Sequence, residues 1–160
     1  MTVTVRRAAL SDAPGIAHVH VEAWREAYAG RIPDEFLASL DVDRRSRMWT
    51  ALLTKGQTDA FVAERDGAVV GWATAGAGRD VDAPVDCELE GLYVLSEVYG
   101  SGVGQQLLDA AIGDAAAYLW VMDGNGRAEA FYRRNRFARD GTTKHETIGG
   151  AALPVIRMTR

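Results

Sequence analysis

The sequence is poor in the residues that staple, anchor or charge a protein. A single cysteine, Cys87, stands among 160 residues, which excludes a disulfide framework and a cysteine-rich zinc site. Lysine occurs only at Lys55 and Lys144, and neither follows a glycine to make the Gly-Lys-Ser/Thr of a kinase-type phosphate loop. Positive charge is not in excess: the net charge is −4 and no basic patch dominates, so no nucleic-acid partner is expected. Histidine is scarce. His18 and His20 diverge at i, i+2 on an expected helix and His145 is alone, so no metal site is expected. The opening "MTVTVRRAAL" lacks the apolar stretch of a signal peptide, and no run is long enough to span a bilayer. A cytoplasmic protein without a membrane partner is the expectation.

What is present suits one folded domain over residues 1–160. Apolar residues make up 48% of the chain, enough for a core without staples, and no linker-like tract divides it. "TVTVRRA" alternates and predicts a first strand over 2–8. "SDAP" then caps a helix from Ala13 to Tyr28, stopped by Gly30. Pro33 opens a short helix to Leu40, and "DVDRRSRMWTALL" gives a third. The period then changes. "DAFVAERDGAVVGWATAG" predicts two strands around Asp66-Gly67, with Gly71 marking a bulge or a close backbone contact. Residues 85–95 predict a strand, Gly102–Ala117 a helix, "YLWVM" a strand and "GRAEAFYRRNRF" a helix. "TTKHETI" and "LPVIRMT" predict two final strands, Pro154 placing part of the last one at an edge. The order βααα-ββ-βαβαββ mixes hairpins with one βαβ unit, so the class is α/β with a mixed sheet.

The stretch "LYVLSEVYGSGVGQQLL" places Gly100, Gly102 and Gly104 between a strand and a helix. Glycine reaches positive φ without penalty and leaves backbone amides uncovered. First-turn amides and the positive end of a helix dipole together favour an anion. A phosphate cradle and a plain tight turn are both compatible with that spacing. A dinucleotide fingerprint needs a small residue at 105 or 107, where Gln105 and Leu107 stand, although Asp123 lies where a ribose-binding acid would.

Two motifs in order carry a resemblance. "YGSGVG", Tyr99 to Gly104, is similar to the Arg/Gln-x-x-Gly-x-Gly/Ala loop of the GNAT superfamily of N-acetyltransferases. "NGRAEAFYRRNRF", Asn125 to Phe137, resembles that superfamily's later Asn-to-Phe pattern, and "WREAYAGRIPDEFL" resembles its first helix and loop. Two positions depart: Tyr99 replaces the loop's Arg or Gln, and Arg136 replaces the Gly before the final Phe. The resemblance implies a GNAT (acyl-CoA N-acyltransferase) fold, a central mixed β-sheet flanked by helices and splayed near its cofactor. It implies acetyl-CoA as cosubstrate, its diphosphate on the backbone of Tyr99, Gly100, Ser101, Gly102, Val103 and Gly104. The pantetheine arm would pair with the backbone of Leu92, Tyr93 and Val94, and Asn125, Ala128, Phe131 and Tyr132 would line its far side. Arg127, Arg133 and Arg134 are better read as solvated helix charges than as ligands of the 3′-phosphate.

Moving an acetyl group to an amine requires a base for the ammonium and an acid for the thiolate. Neutralising an amine of pKa about 10.4 at pH 7 costs roughly 4.6 kcal/mol. Glu88 and Glu90 lie two apart on one strand and share a face. By the resemblance Glu88 is the base, directly or through water, and Glu90 orients the amine; the roles could be exchanged. Tyr132 matches the tyrosine that protonates the leaving thiolate. Trp24 and Tyr28 are expected to wall the acceptor site. The implied activity is acetyl transfer to a primary amine of a small molecule, by direct attack in a ternary complex. A protein amino group as acceptor and a non-catalytic acyl-CoA-binding module are the alternatives. A homodimer is expected by analogy.

Overall fold

The computed structural model describes residues 2–160. Its elements follow the expected order: β1 (Val3–Arg7), α1 (Ala13–Tyr28), α2 (Asp34–Ala38), α3 (Val42–Lys55), β2 (Asp59–Arg65), β3 (Ala68–Ala77) and β4 (Cys87–Val94) come first. Then come α4 (Val103–Ile112), β5 (Ala117–Met122), α5 (Gly126–Arg134), β6 (Ala138–Ile148) and β7 (Ala151–Thr159). The chain switches between strands and helices where the spacing of apolar residues changes between period two and the helical period.

The seven strands form one sheet in the order β1-β2-β3-β4-β5-β7-β6. Every neighbouring pair is antiparallel except β4–β5, which is parallel and pairs only at Cys87↔Ala117 and Glu88↔Tyr118. Beyond Glu88 the two strands part. The sheet is therefore mixed, as expected, and splayed at the carboxyl ends of its one parallel pair, where α/β sheets characteristically open a crevice.

Alternation sorts the two faces. Trp72 meets His20 of α1 and Trp49 of α3 on one face, while Leu89, Leu108, Leu119 and Tyr132 form a core with α4 and α5 on the other. A third cluster, Ile32, Leu37, Met122 and Leu153, seats α2 on β5 and β7. Gly71 is a close approach: a Cβ there would lie 2.8 Å from a Val94 methyl and 3.0 Å from a Leu107 methyl. Asp66 and Gly67 both take positive φ, 53° and 80°, the turn that Asp-Gly predicts.

Three expectations need correction. Helix α4 ends at Ile112, short of Ala117, because Gly113 turns the chain with φ 55° and Ala117 already pairs in β5. The final strand is interior, between β5 and β6, yet Pro154 fits it. Its carbonyl accepts from the Asp123 N–H at 2.9 Å, so the absent N–H faces the same side, just past the last β5–β7 pair, Met122↔Val155. Strand β4 is also not regular. Thr74 pairs with Gly91 and Ala75 with Leu89, so Glu90 is an extra, bulged residue.

Candidate active site

The Gly-rich turn is built for open amides. Gly100 and Gly102 take φ 73° and 88°, and no atom lies within 4 Å of where a Cβ on either would stand. The Tyr99 and Ser101 N–H groups close the preceding turn on the Ser96 and Val98 carbonyls, and Gln106 N–H makes the first α4 bond, to Gly102. The N–H groups of Gly100, Gly102, Val103, Gly104 and Gln105 make no backbone hydrogen bond among the described residues. The expected cradle therefore shifts: Tyr99 and Ser101 contribute no free amide, and Gln105 joins. Val103 buries its side chain in the core and offers only backbone.

A cleft of about 850 Å³ runs from this turn to the splay, walled by Tyr99, Gly100, Gly102 and Gly104 on one side and Phe131 and Arg134 on the other. Leu92, Tyr93 and Val94 line it as expected. The Tyr99 ring carries the Arg127 guanidinium, 3.1 Å from its centroid. The positive charge that the loop lacks at position 99 is thus brought to it from α5. Arg133 turns away to Glu129, at 2.8 Å. Asp123, weighed as a ribose ligand, pairs instead with Arg139 at 3.2 Å.

A second cavity of about 530 Å³ opens on the α1 side of the splay. It holds Trp24, Tyr28, Glu88 and Glu90, together with His20, Arg79, Trp120, Lys144 and Glu146, which sequence reasoning did not single out as ligands of an acceptor. The two cavities share Leu92, Tyr93, Asn125, Ala128 and Tyr132. All five are sequence-expected positions, and the junction is where a group could pass from one cavity to the other.

Tyr132 reaches that junction through its helix end. Phe137 N–H donates to the Tyr132 carbonyl and Arg136 N–H to the Arg133 carbonyl, both near 3 Å, and the Tyr132 and Phe137 rings pack 5.8 Å apart. This is a Schellman end with Arg136 at its left-handed position, φ 72°. Burial, with Tyr28 nearby, raises the Tyr132 phenol well above its ordinary range, so it keeps its proton. Asn125 caps the start of the same helix, its Oδ1 accepting from Ala128 N–H at 3.2 Å.

The two glutamates differ. Glu88 is 2% exposed and both its oxygens are taken. One accepts from the Arg79 N–H, the Arg79 Nε and the Tyr118 hydroxyl; the other accepts from Arg79 Nη2 at 2.7 Å. Burial alone would raise this carboxyl, but the hydrogen bonds and charge of Arg79 outweigh it and hold it below its ordinary value. Glu90 has one oxygen on the Thr58 hydroxyl at 3.1 Å and the other 3.9 Å from Arg79 Nε. Glu90, the bulged residue, thus meets the same guanidinium only loosely, and the two carboxylates are not equivalent.

The aromatic wall is ordered by hydrogen bonds. The Tyr28 and Tyr93 hydroxyls lie 3.1 Å apart, and the Trp24 and Tyr28 rings 5.0 Å apart. Trp49 Nε1–H donates to His20 Nδ1 at 3.1 Å, leaving the proton of the neutral ring on Nε2. Burial, helped by the charge of Arg45, lowers the His20 pKa to about 4, so it is neutral at ordinary pH.

A sheet splayed at one parallel pair, with an amide-lined cleft and a tyrosine at its throat, is the fold of the acyl-CoA N-acyltransferases. The chain belongs to the acetyltransferase (GNAT) family, whose family model matches residues 17–137, and it is an acetyltransferase. It is 35% identical to the uncharacterized N-acetyltransferase YuaI of Bacillus subtilis, over 77% of this chain and 73% of that one. Among solved structures it is similar to the ribosomal-protein-alanine N-acetyltransferase of Brucella melitensis, at 27% identity and TM-score 0.72 over 98% of both chains. It shares its fold with the PaiA N-acetyltransferase of Thermoplasma acidophilum in complex with coenzyme A, at 18% identity and TM-score 0.67 over the whole of both chains. No helix among the described residues is long and apolar enough to cross a membrane.

Proposed function

We propose that this acetyltransferase takes its acetyl group from acetyl-CoA and passes it to a primary amine of a small molecule by direct attack in a ternary complex. The observation that carries the reading is the meeting of two separate cavities at Tyr132. The larger fits the cosubstrate: five backbone amides without backbone partners, on a turn kept open by two positive-φ glycines, suit a diphosphate. Arg127, stacked on Tyr99 at the rim, adds the guanidinium that the loop sequence lacks. The bound thioester supplies the activated acetyl group; the chain supplies the proton handling.

Glu90 takes the role of base, directly or through one water, and Glu88 is the structural partner of Arg79. This exchanges the expected roles, because both Glu88 oxygens already accept from Arg79 and the residue is 2% exposed. The protonated Tyr132 gives the departing sulfur a hydrogen bond as negative charge develops on it. The smaller cavity is hemmed in by α1, by β6 and by the connection carrying Arg79, which favours a small acceptor over a folded protein's terminus. The test is thiol release from acetyl-CoA over a panel of primary amines, with thermal stabilisation by acetyl-CoA, CoA and NAD as the binding control. Stabilisation by acetyl-CoA and turnover on small amines is the expected result. Stabilisation by NAD alone would overturn it.

A further inference from the structure

We propose that the acceptor amine carries a carboxylate a few bonds from its nitrogen, and that Arg79 recognises that carboxylate. The proposal rests on the acetyl-transfer reading of the same cavity and narrows it to zwitterionic amino acids.

Arg79 lies in the connection between β3 and β4 and lines the smaller cavity. Its inner edge is fixed, with Nε and Nη2 on the two oxygens of the buried Glu88 at 3.0 and 2.7 Å. Its outer edge is free: Nη1 has no protein acceptor among the described residues, and the side chain is 62% exposed although the carboxylate it grips is 2% exposed. A guanidinium locked by a bidentate bond on one edge presents the other as a preset fork, the geometry that matches a second carboxylate. Its role toward Glu88 needs only the inner edge, so that role leaves the orientation of the outer one unused.

The spacing agrees with an amino acid. Glu90 Oε2 is 3.9 Å from Arg79 Nε on the inner edge, and Nη1 is joined to that nitrogen through the single carbon Cζ, so an ammonium against Glu90 and a carboxylate on Nη1 are within reach of one small molecule. Charge agrees too. Arg79 neutralises Glu88, Lys144 Nζ lies 3.6 Å from Glu146, and Asp80 lies 3.7 Å from Arg157 and accepts from the Trp120 indole. Glu90 has the loosest cationic contact of the carboxylates in the cavity. Such a site suits one ammonium balanced by one acidic group, and disfavours a polyamine, whose further cations would approach Arg79 and Lys144.

The probes are common α-amino acids, each with its α-carboxamide, and a set of dipeptide amides. Each is measured twice: by thiol release from acetyl-CoA, and by shifts of the indole N–H resonances of the CoA-bound protein, which need no turnover. Amino acids are expected to exceed their carboxamides on the order of tenfold or more in kcat/KM, as a site built to pair a polar group discriminates against its absence. Arg79→Gln should erase that preference, lowering activity on the acids more than on the carboxamides. The double variant Arg79→Gln with Glu88→Gln should do the same while leaving no unpaired buried charge, which guards against a misfolded single variant. Equal use of acids and amides, better use of dipeptide amides, an equal loss on both in the single and the double variant alike, or no indole shift with any acid would each overturn the proposal. Failure of the acetyl-transfer reading is distinguishable, because it would appear as no stabilisation by acetyl-CoA, or as stabilisation without thiol release on any acid, carboxamide or dipeptide amide.

Discussion

The larger cleft, to which we assign acetyl-CoA, and the smaller cavity, to which we assign the acceptor, meet at Tyr132 but are made of different material. The cleft is largely backbone: glycines, open amides and the strand Leu92–Val94, with side chains mainly walling it. The smaller cavity is side chains from α1, β3, β4, β5, α5, β6 and β7 and the β3–β4 connection, held by ion pairs and stacked rings. A backbone site needs only local chain geometry. A side-chain site needs distant segments brought to within a few ångströms, so it can be rebuilt for a new acceptor without disturbing the other.

The contrast is tested hardest at the junction. Tyr132→Phe should lower kcat on the order of 10²-fold, leaving acetyl-CoA affinity unchanged by calorimetry. An equal loss of affinity would mean that the two cavities are one site.

Next is the division of labour between the glutamates. Glu90→Gln should lower kcat/KM by about 10-fold to 10²-fold and flatten the acid limb of its pH profile. Glu88→Gln should keep that limb and lose stability instead. Glu88 titrates below its ordinary value in the folded protein. Its contribution is therefore present above the unfolded carboxyl pKa and is lost as pH falls through the folded one. Urea unfolding of the wild type should weaken with acid over that window, and that of Glu88→Gln should weaken less. A flattened acid limb in Glu88→Gln would restore it as the base.

On the cofactor side, Gly102→Ala places a Cβ at φ 88°. A left-handed alanine costs about 1–2 kcal/mol. Relief of that strain should turn the first-turn amides and weaken acetyl-CoA binding about tenfold. The dissociation constant of an acceptor, measured with CoA saturating, should stay the same.

The smallest effect is structural. Arg136 holds the left-handed helix end at φ 72°, where glycine would be unstrained. Arg136→Gly should raise unfolding free energy by about 1 kcal/mol, read by urea titration, with activity unaltered. The departure at this position has left the turn itself intact, because Phe137 still packs on Tyr132.

Legibility in the sequence followed the same boundary. The Asp66-Gly67 hairpin and the glycine turn are readable because each is decided within a few residues. The length of α4 was overestimated because the helix-forming run Ala115-Ala116-Ala117 does not outweigh Gly113, and the chain beyond it is claimed by the pairing of Ala117 with Cys87 across the sheet. The bulge at Glu90 left no mark on the sequence, since it is a register difference between β3 and β4. Arg79 was invisible for a related reason: it sits in irregular chain ahead of β4, and no periodicity relates it to Glu88. His20 read only as one of two diverging histidines. Its four aromatic neighbours come from α1, α3, β3 and β4.

By itself the sequence determined the order of elements, the positive-φ turns and the place where amides would be left open, all of them set by short-range sterics and hydrophobic period. Only the tertiary structure decided which carboxylate is loosely held, which cations line the smaller cavity and where the two cavities join. Those depend on strand register and on long side chains meeting across the fold, and an ion pair between distant residues is stabilised by packing that no local stretch encodes.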